Sequence, residues 1–296
     1  MFKAPSEIEW SYSAKGRLCH SSCEYSSSKK LVAVRDHRVT RIFDIESRKC
    51  MARTDAPHDG QCRFSNSGSI LATMNDYQEY VYLWDMVSLK VVKTFKHRDL
   101  VFACAFAPSD NVMITASDAM YAWDVSTGQK IGQLAKLENA VLRLDVSRNN
   151  ILASVSNQQT DVRLWDVSRM QFLRSLNRHV QPCRWCVFAA DGTMLASVSS
   201  DALCLWDMRT RDCIGIPKNI KPYQQCSFSS DGTYLAVTCK HDVRVWDTRM
   251  QRTISMVASM QSDSGVVSGC CFIDKDMLAT VSARDKLNGW NINIWK

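Results

Sequence analysis

An aromatic residue followed by an acidic or amide residue recurs seven times along this chain at nearly constant spacing. The pairs are Phe43-Asp44, Trp84-Asp85, Trp123-Asp124, Trp165-Asp166, Trp206-Asp207, Trp246-Asp247 and Trp290-Asn291. Successive pairs are 41, 39, 42, 41, 40 and 44 residues apart. A repeat of about 40 residues that ends in Trp-Asp is typical of small antiparallel sheets arranged as the blades of a ring.

A second position, which we call the core slot, recurs inside each repeat. In six repeats it holds a cysteine two residues before an aromatic residue: Cys23, Cys62, Cys104, Cys186, Cys226 and Cys270. Leu144 fills it in the remaining repeat. Residues i and i+2 of a strand share a face, so we expect these cysteines to be small apolar core residues with reduced thiols.

Each repeat reads as four short strands separated by polar turns such as SNSG, AADG and SSDG. The predicted fold class is therefore all-β: a seven-bladed β-propeller of four-stranded antiparallel blades, forming a single domain over residues 1–296. The last repeat has no fourth strand of its own after Trp290. Because an open ring would leave strand edges exposed, we predict that residues 7–13 complete the last blade and close the ring.

The composition fits a folded domain with a sizeable core, since 46% of the 296 residues are hydrophobic. No apolar run approaches the roughly 18 residues of a membrane span, and the N-terminus has no apolar stretch typical of a secretory signal. Cysteines placed in a core rather than in disulfides suit a reducing compartment. We therefore expect an intracellular protein of the cytoplasm, the nucleus or both.

The repeats resemble those of the WD-repeat family over essentially the whole chain. In that family a His, a Ser or Thr, an Asp and the Trp of one blade form a hydrogen-bond network. Two repeats match this pattern, and the resemblance implies structural roles for their residues. The first set is His97, Thr115 or Ser117, Asp118 and Trp123; the second is His179, Ser197 or Ser199, Asp201 and Trp206.

Sequence patterns of catalysis are absent from the chain. It has no Gly-rich phosphate loop, no HExxH and no GxSxG. The CxxC of Cys183 and Cys186 uses a core-slot cysteine and has no second Cys/His pair at zinc spacing. We therefore predict no catalytic residue, no metal ligand and no cofactor, and a protein that is not an enzyme.

The first strand of each repeat is expected to line the central channel and to begin at its mouth, two residues before the core slot. These positions are Ser21, Gly60, Phe102, Leu142, Arg184, Gln224 and Ser268. In WD-repeat proteins this rim commonly receives peptide segments, which implies a scaffold that binds other proteins of a multi-subunit complex. The candidate binding residues are Phe102, Arg184, Gln224, Arg98, Trp185, Tyr223 and, on the long turn NDYQEY, Tyr77. For Phe102, packing inside the ring is the alternative.

Two alternative functions remain open. Arg209 and Arg249 follow successive Trp-Asp pairs as WDxR. In substrate receptors of cullin–RING ubiquitin ligases, tandem WDxR arginines contact the adaptor propeller; pairing within their own blades is the other interpretation. The basic stretch Lys29–Arg53 suggests a third function, binding of RNA or phosphoinositide, or else a solvated rim. This function ranks third, because the basic residues lack interleaved aromatics apart from Phe43, which is a blade residue, and the FRRG signature of phosphoinositide-binding propellers is absent.

Overall fold

The protein forms seven antiparallel sheets of four strands each. The computed structural model describes residues 8–15, 23–35, 39–54, 61–74, 79–215, 225–239, 241–249, 252–258, 266–275, 277–284 and 289–295. Within these ranges there are 28 strands and no helix. The predicted all-β fold of seven four-stranded blades is confirmed. The single-domain extent over residues 1–296 stays a prediction.

The strands follow the chain in order within blades 1 to 4. Blade 1 contains β2 (Cys23–Ser26), β3 (Leu31–Arg35), β4 (Thr40–Asp44) and β5 (Lys49–Thr54). Blade 2 contains β6 (Cys62–Phe64), β7 (Ile70–Met74), β8 (Tyr80–Asp85) and β9 (Lys90–Lys96). Blade 3 contains β10 (Ala103–Phe106), β11 (Val112–Ala116), β12 (Ala119–Asp124) and β13 (Lys130–Lys136). Blade 4 contains β14 (Val141–Val146), β15 (Ile151–Ser156), β16 (Asp161–Asp166) and β17 (Gln171–Asn177).

Blades 5 and 6 repeat this order, whereas blade 7 combines both ends of the chain. Blade 5 contains β18 (Cys183–Phe188), β19 (Met194–Ser199), β20 (Leu203–Asp207) and β21 (Cys213–Gly215). Blade 6 contains β22 (Cys226–Phe228), β23 (Tyr234–Thr238), β24 (Asp242–Asp247) and β25 (Arg252–Ala258). Blade 7 contains β26 (Val267–Asp274), β27 (Met277–Arg284), β28 (Gly289–Trp295) and, as its outer strand, β1 (Ile8–Lys15).

The first strands of the blades surround the central channel. Each of them contacts the first strands of the blades before and after it, and the cycle closes between β26 and β2. Apolar clusters of buried residues occupy each interface between neighbouring blades, including the interface of blades 7 and 1. The second strands are almost fully buried because a blade covers each of their faces.

Ring closure depends on β1, as the sequence predicts. This strand pairs antiparallel with β28, from Ile8 opposite Trp295 to Lys15 opposite Gly289. The hydroxyl of Ser13 donates a hydrogen bond of 2.7 Å to Asn291 Oδ1. The ring of Tyr12 packs edge-on against Phe43 of blade 1, with 4.9 Å between ring centroids. Residue 7, which the prediction included, lies outside the described residues.

The aromatic residue that ends the seventh repeat is Trp295, so the sequence interpretation of Trp290-Asn291 is wrong. Trp295 lies opposite Leu278, as Trp206 lies opposite Leu195 in blade 5. Its indole Nε1 donates to Thr280 Oγ1 at 2.8 Å, which matches the bond from Trp206 to Ser197. The physical reason is that the indole of the terminal tryptophan bonds to a hydroxyl on the second strand, and Trp295 makes this bond with Thr280. Trp290 is the second residue of the same strand, opposite Ala283.

Candidate interaction surfaces and the channel

The antiparallel order of the strands determines which loops lie together. The chain runs along the channel in the first strand of each blade and reverses at every turn. Loops that enter the first strands, and turns between second and third strands, therefore share one end of the ring, which we call the mouth end. Turns between first and second strands, and those that follow the Trp-Asp pairs, lie at the other end, which we call the WD-turn end.

Several candidate binding residues lie at the mouth end. Arg184 is exposed and lies in an irregularity of β18, where the register shifts between Cys183 and Trp185. Such a bulge turns a side chain away from the regular ladder. Phe102 is half-buried, and its backbone N–H donates to the carbonyl of Ala116 at 3.1 Å, which continues the ladder beyond β10.

The remaining predicted mouth residues have different positions. Arg98 is exposed in the loop that enters β10. Trp185 is buried between blades 5 and 6, and its indole donates to the carbonyl of Cys226 at 3.0 Å. Tyr77, Tyr223 and Gln224 lie outside the described residues. Val180, which no sequence pattern singles out, is 76% exposed in the loop that enters β18.

Four charged side chains meet inside the channel, which no part of the sequence analysis anticipated. Arg63 donates to Glu24 Oε1 at 3.0 Å and also pairs with Asp145. Arg143 donates to Glu24 at 2.7 Å, and its guanidinium stacks 3.7 Å from the ring centroid of Trp185. Arg63 is in blade 2 and Asp145 is in blade 4, so their ion pair connects two blades that are separated in the ring by blade 3. We call Glu24, Arg63, Arg143 and Asp145 the channel cluster.

The channel cluster is electrically balanced, with two guanidiniums and two carboxylates. Burial by itself would raise the pKa of Glu24, but the adjacent Arg63 and Arg143 hold that pKa below its usual value. Burial likewise opposes the charge of Arg63, and the two carboxylates overcome it, so the pKa of Arg63 lies above its usual range. Glu24 therefore stays ionised and paired. A carboxylate that stays ionised in this way is poorly suited to proton transfer.

A readable sequence signal for the channel cluster lies beside the core slot. Glu24, Arg63 and Asp145 each come one residue after it, and Arg143 comes one residue before it. Strand alternation turns these positions away from the face that the slot shares with its aromatic partner. Charged residues directly beside an otherwise apolar repeated position are the pattern that would have indicated a buried network.

In blade 5 the predicted His–Ser–Asp–Trp residues form a continuous chain of hydrogen bonds. The indole of Trp206 donates to Ser197 Oγ at 2.8 Å, and Ser197 lies 2.7 Å from His179 Nε2. His179 Nδ1 lies 2.8 Å from Ser199 Oγ, which donates to Asp201 Oδ1 at 2.6 Å. Burial lowers the pKa of His179 to about 4, so the imidazole is neutral at physiological pH.

The corresponding residues of blade 3 are joined less completely. His97 Nε2 lies 2.8 Å from Thr115 Oγ1, which also accepts the indole N–H of Trp123 at 2.8 Å. Asp118 instead accepts hydrogen bonds from Ser117 and from the hydroxyl of Tyr121. His97 Nδ1 is buried and has no hydrogen-bond partner within the described part of the chain. Burial also lowers the pKa of His97.

Both WDxR arginines lie at the WD-turn end, on the neighbouring blades 5 and 6. The side chain of Arg249 is 69% exposed, and its Nε lies 4.0 Å from Asp247 Oδ1. Arg209 is exposed, and its backbone N–H donates to Asp207 Oδ1 at 2.7 Å. The two guanidiniums are thus presented on one rim, with a loose pairing inside the blade for Arg249.

The basic stretch Lys29–Arg53 does not present its charges as one surface. Arg35 and Arg41 are buried, and Lys30 pairs with Glu46. Arg38 lies outside the described residues. Fewer cations therefore face solvent together than the sequence suggests, which weakens the case for binding RNA or phosphoinositide.

The cysteines of the CxxC sequence are both buried in β18. Burial raises the pKa of Cys183 to about 12, and it also raises the pKa of Cys186. Thiols of this kind are weak nucleophiles at neutral pH. In the part of the chain that is described, no helix has the length and apolarity needed to cross a membrane.

Comparison with known proteins agrees with the architecture. The family described as WD domain, G-beta repeat matches residues 89–120, 170–207 and 223–247. The chain is 26% identical over 205 residues to apoptotic protease-activating factor 1 of Danio rerio, covering 67% of this chain and 16% of that protein. It is 30% identical over 125 residues to the guanine nucleotide-binding protein subunit beta of Oryza sativa subsp. indica, covering 38% of this chain and 33% of that protein.

A further relative is the transcriptional corepressor LEUNIG_HOMOLOG of Arabidopsis thaliana, 23% identical over 198 residues, which covers 52% of this chain and 25% of that protein. The chain thus spans a third or less of the length of these curated relatives. The chain therefore contains repeats that match this family, within a propeller of seven blades. This fold is typical of protein-interaction scaffolds.

Proposed function

We propose that this WD-repeat propeller is a non-catalytic scaffold that binds a segment of a partner protein at its mouth end, within a multi-subunit complex. The observation that carries the proposal is the position of Phe102 and Arg184 at the start of two first strands, one half-buried and one exposed. Aromatic residues and arginine dominate the energetics of protein interfaces. The same residues on a rigid ring need little reordering on binding.

The chemistry of the mouth end indicates the kind of segment that it would accept. Arg184 makes no ion pair with any residue that the structure describes, so its guanidinium is available to a carboxylate. Val180 and Phe102 add apolar surface to this end of the ring. Further along the same first strands lie the paired charges of the channel cluster. A segment with an acidic and an apolar side chain would therefore dock on the mouth rather than thread through the ring.

Affinity purification followed by quantitative mass spectrometry tests this proposal. Phe102→Ala and Arg184→Glu are expected to lose the same partners, at least about tenfold in recovery, because each change removes a contact worth about 1.4 kcal/mol or more. Circular dichroism and thermal melting establish that the variants fold. If the complete partner set survives both changes in folded protein, the mouth end is not the site.

Matched controls are available on the same molecule. Arg148→Glu makes the same charge change on an exposed arginine at the WD-turn end. Phe172→Ala removes an aromatic ring that is 51% exposed on the outer strand of blade 4. Both controls should keep the partners that the mouth variants lose. Loss of partners in the controls as well would indicate nonspecific damage.

A second candidate function is supported by the presentation of Arg209 and Arg249 on one rim. We propose as the alternative that these arginines contact the adaptor of a cullin–RING ubiquitin ligase. The Arg209→Ala/Arg249→Ala double variant should then lose the adaptor and keep any mouth partners. Normal recovery of the adaptor by the double variant would remove this alternative, and an absence of adaptor from wild-type purifications would do the same.

The proposed location is intracellular, in the cytoplasm, the nucleus or both. Support comes from the many buried cysteines, which occur as free thiols throughout the described residues. Fractionation of cells that express the tagged chain at endogenous level checks this proposal. Recovery from the secreted medium would contradict it.

A further inference from the structure

Two cysteines face each other across the seam where the ring closes. Cys23 begins β2 of blade 1, and Cys271 lies in β26 of blade 7. Their sulfur atoms are 3.1 Å apart, although 248 residues separate the two positions along the chain. Both side chains are buried, with 2% of Cys23 and 5% of Cys271 exposed. A movement of about 1 Å would bring the sulfurs to the roughly 2.05 Å of a disulfide bond.

A cleft of about 270 Å³ opens along the same seam. Tyr25 and Ile273 line it, each two residues after one of the cysteines. Residues i and i+2 of a strand share a face, so the cleft continues the face on which each thiol lies. Burial raises the pKa of Tyr25 to about 12, and the neighbouring Cys271 adds to this effect, in agreement with their proximity. Neither cysteine lines the cleft itself, so a small molecule that enters it, such as a peroxide, reaches the thiol pair when the seam opens further.

We propose that Cys23 and Cys271 are a modification site, at which a peroxide converts the two thiols to a disulfide that fastens blade 1 to blade 7. The sulfur of one cysteine attacks the O–O bond of hydrogen peroxide and becomes a sulfenic acid, while its thiol proton and the leaving hydroxide depart as water. The second sulfur then attacks the sulfenic sulfur. The S–S bond forms, the S–O bond breaks, and the second thiol proton leaves with the hydroxide as another water. Two electrons pass from the thiols to the peroxide.

The local environment makes this reaction conditional. The hydrogen bond with Cys23, together with burial, raises the pKa of Cys271 well above its ordinary value, so this thiol is protonated at neutral pH. Since the thiolate is the nucleophile, the intact seam reacts slowly. Brief opening of the seam exposes the pair to water and speeds its oxidation. The disulfide would then join the two ends of the ring covalently, in addition to the pairing of β1 with β28.

Peptide mapping tests the proposal on the complete chain. Folded protein is reduced, freed of reductant, exposed to hydrogen peroxide, unfolded with an alkylating reagent, and digested without reductant for mass spectrometry. The expected product is one linked peptide pair that contains Cys23 and Cys271. The linked protein should unfold in urea at least about tenfold more slowly than the reduced protein, and a reductant should restore the original rate.

Two variants make the test specific. Cys271→Ser should lose both the link and the slowed unfolding. Cys186→Ser is the matched control, because it changes a buried core-slot cysteine whose thiol bonds to the carbonyl of Ala153 in another interface; it should keep both.

The proposal is overturned if folded wild-type protein retains Cys23 and Cys271 as alkylated thiols after the exposed Cys50 has been oxidised. A link from Cys23 to a different cysteine also overturns it. A linked protein that unfolds as fast as the reduced one removes the stabilising role. The wild-type map decides the first two points even if Cys271→Ser fails to fold.

Discussion

Blades 3 and 5 contain the same four kinds of residue and connect them differently. In blade 5 the tautomer of His179 follows from its neighbours. The hydroxyl of Ser199 donates to Asp201 and therefore accepts a hydrogen bond from the Nδ1–H group of His179. The hydroxyl of Ser197 donates to Nε2 of the same ring. In blade 3 the turn is one residue shorter, because Asp118 follows Ser117 directly, whereas Ser200 separates Ser199 from Asp201. The lesson is that one residue in a turn decides whether a buried histidine is fully satisfied.

The largest difference between the blades should appear when each histidine is removed. His179→Ala breaks the middle of a continuous network and leaves the hydroxyls of Ser197 and Ser199 without it, so we expect the free energy of unfolding to fall by about 3 kcal/mol. His97→Ala removes one hydrogen bond and packing against Trp123, for a loss of about 1–2 kcal/mol. Urea unfolding of both variants measures this; equal losses would contradict the comparison.

The pH dependence of the free energy of unfolding should contain a contribution that comes from His179. Its pKa is about 4 in the folded state and near 6.5 when unfolded, so the unfolded chain binds the proton first as the pH falls. Stability from this group is complete above about pH 6.5 and is lost as the pH falls toward 4, by about 2 kcal/mol at pH 5. Urea titrations of wild type and His179→Asn between pH 7.5 and 5 test this, and a parallel fall in both proteins would refute the assignment.

Restoring the missing turn residue should repair blade 3. Insertion of one serine between Ser117 and Asp118 reproduces the order Ser-Ser-Asp of blade 5, so that Ser117, the counterpart of Ser199, can bond His97 Nδ1. We expect the free energy of unfolding to rise by about 1 kcal/mol. The matched control carries the same insertion together with Ser117→Ala, which lengthens the turn but removes that hydroxyl. If the two insertion variants have the same free energy of unfolding, the unpaired nitrogen is not what weakens this blade.

The smallest expected effect concerns the two aspartates. Both carboxylates lie near the surface, and hydrogen bonds from hydroxyl groups hold their pKa values below the usual value even though burial opposes this. Asp201→Asn ends the network of blade 5, whereas Asp118→Asn weakens the bonds from Ser117 and Tyr121. We expect losses of roughly 0.5–1 kcal/mol for Asp201→Asn and about half of that for Asp118→Asn. Thermal melting of both variants can rank them, and the reverse order would show that the aspartate adds nothing to the blade 5 network.

The repeats made the architecture predictable, because each carries the same core slot and the same terminal aromatic. The prediction at Trp290 is wrong because no acidic residue follows the true terminal aromatic of the last repeat, Trp295, so the sequence alone does not show which tryptophan ends that repeat. The channel cluster could not be found by reading repeats one at a time. Glu24, Arg63 and Asp145 come from three blades, and only the closed ring brings them into contact.

The mouth residues illustrate a further limit. Phe102 and Trp185 look alike as exposed aromatics in sequence, but one is half-buried at the rim and the other is buried beneath Arg143. The difference depends on whether a residue comes two positions or one position before the core slot, since neighbouring residues of a strand face opposite ways. Alternation of residue types thus indicates that a strand exists. The exact position of a residue in that alternation determines which face of the strand its side chain lies on and what it contacts.

The pairing of β1 with β28 has a consequence for synthesis of the protein on the ribosome. The N-terminal strand emerges first, yet its partner is the last strand of the propeller to be translated. Until then the nascent chain holds a row of blades whose terminal faces are apolar and uncovered. Chaperones that shield hydrophobic surface would have their longest opportunity to act at this stage, and a stalled or truncated product would present the same faces to other chains.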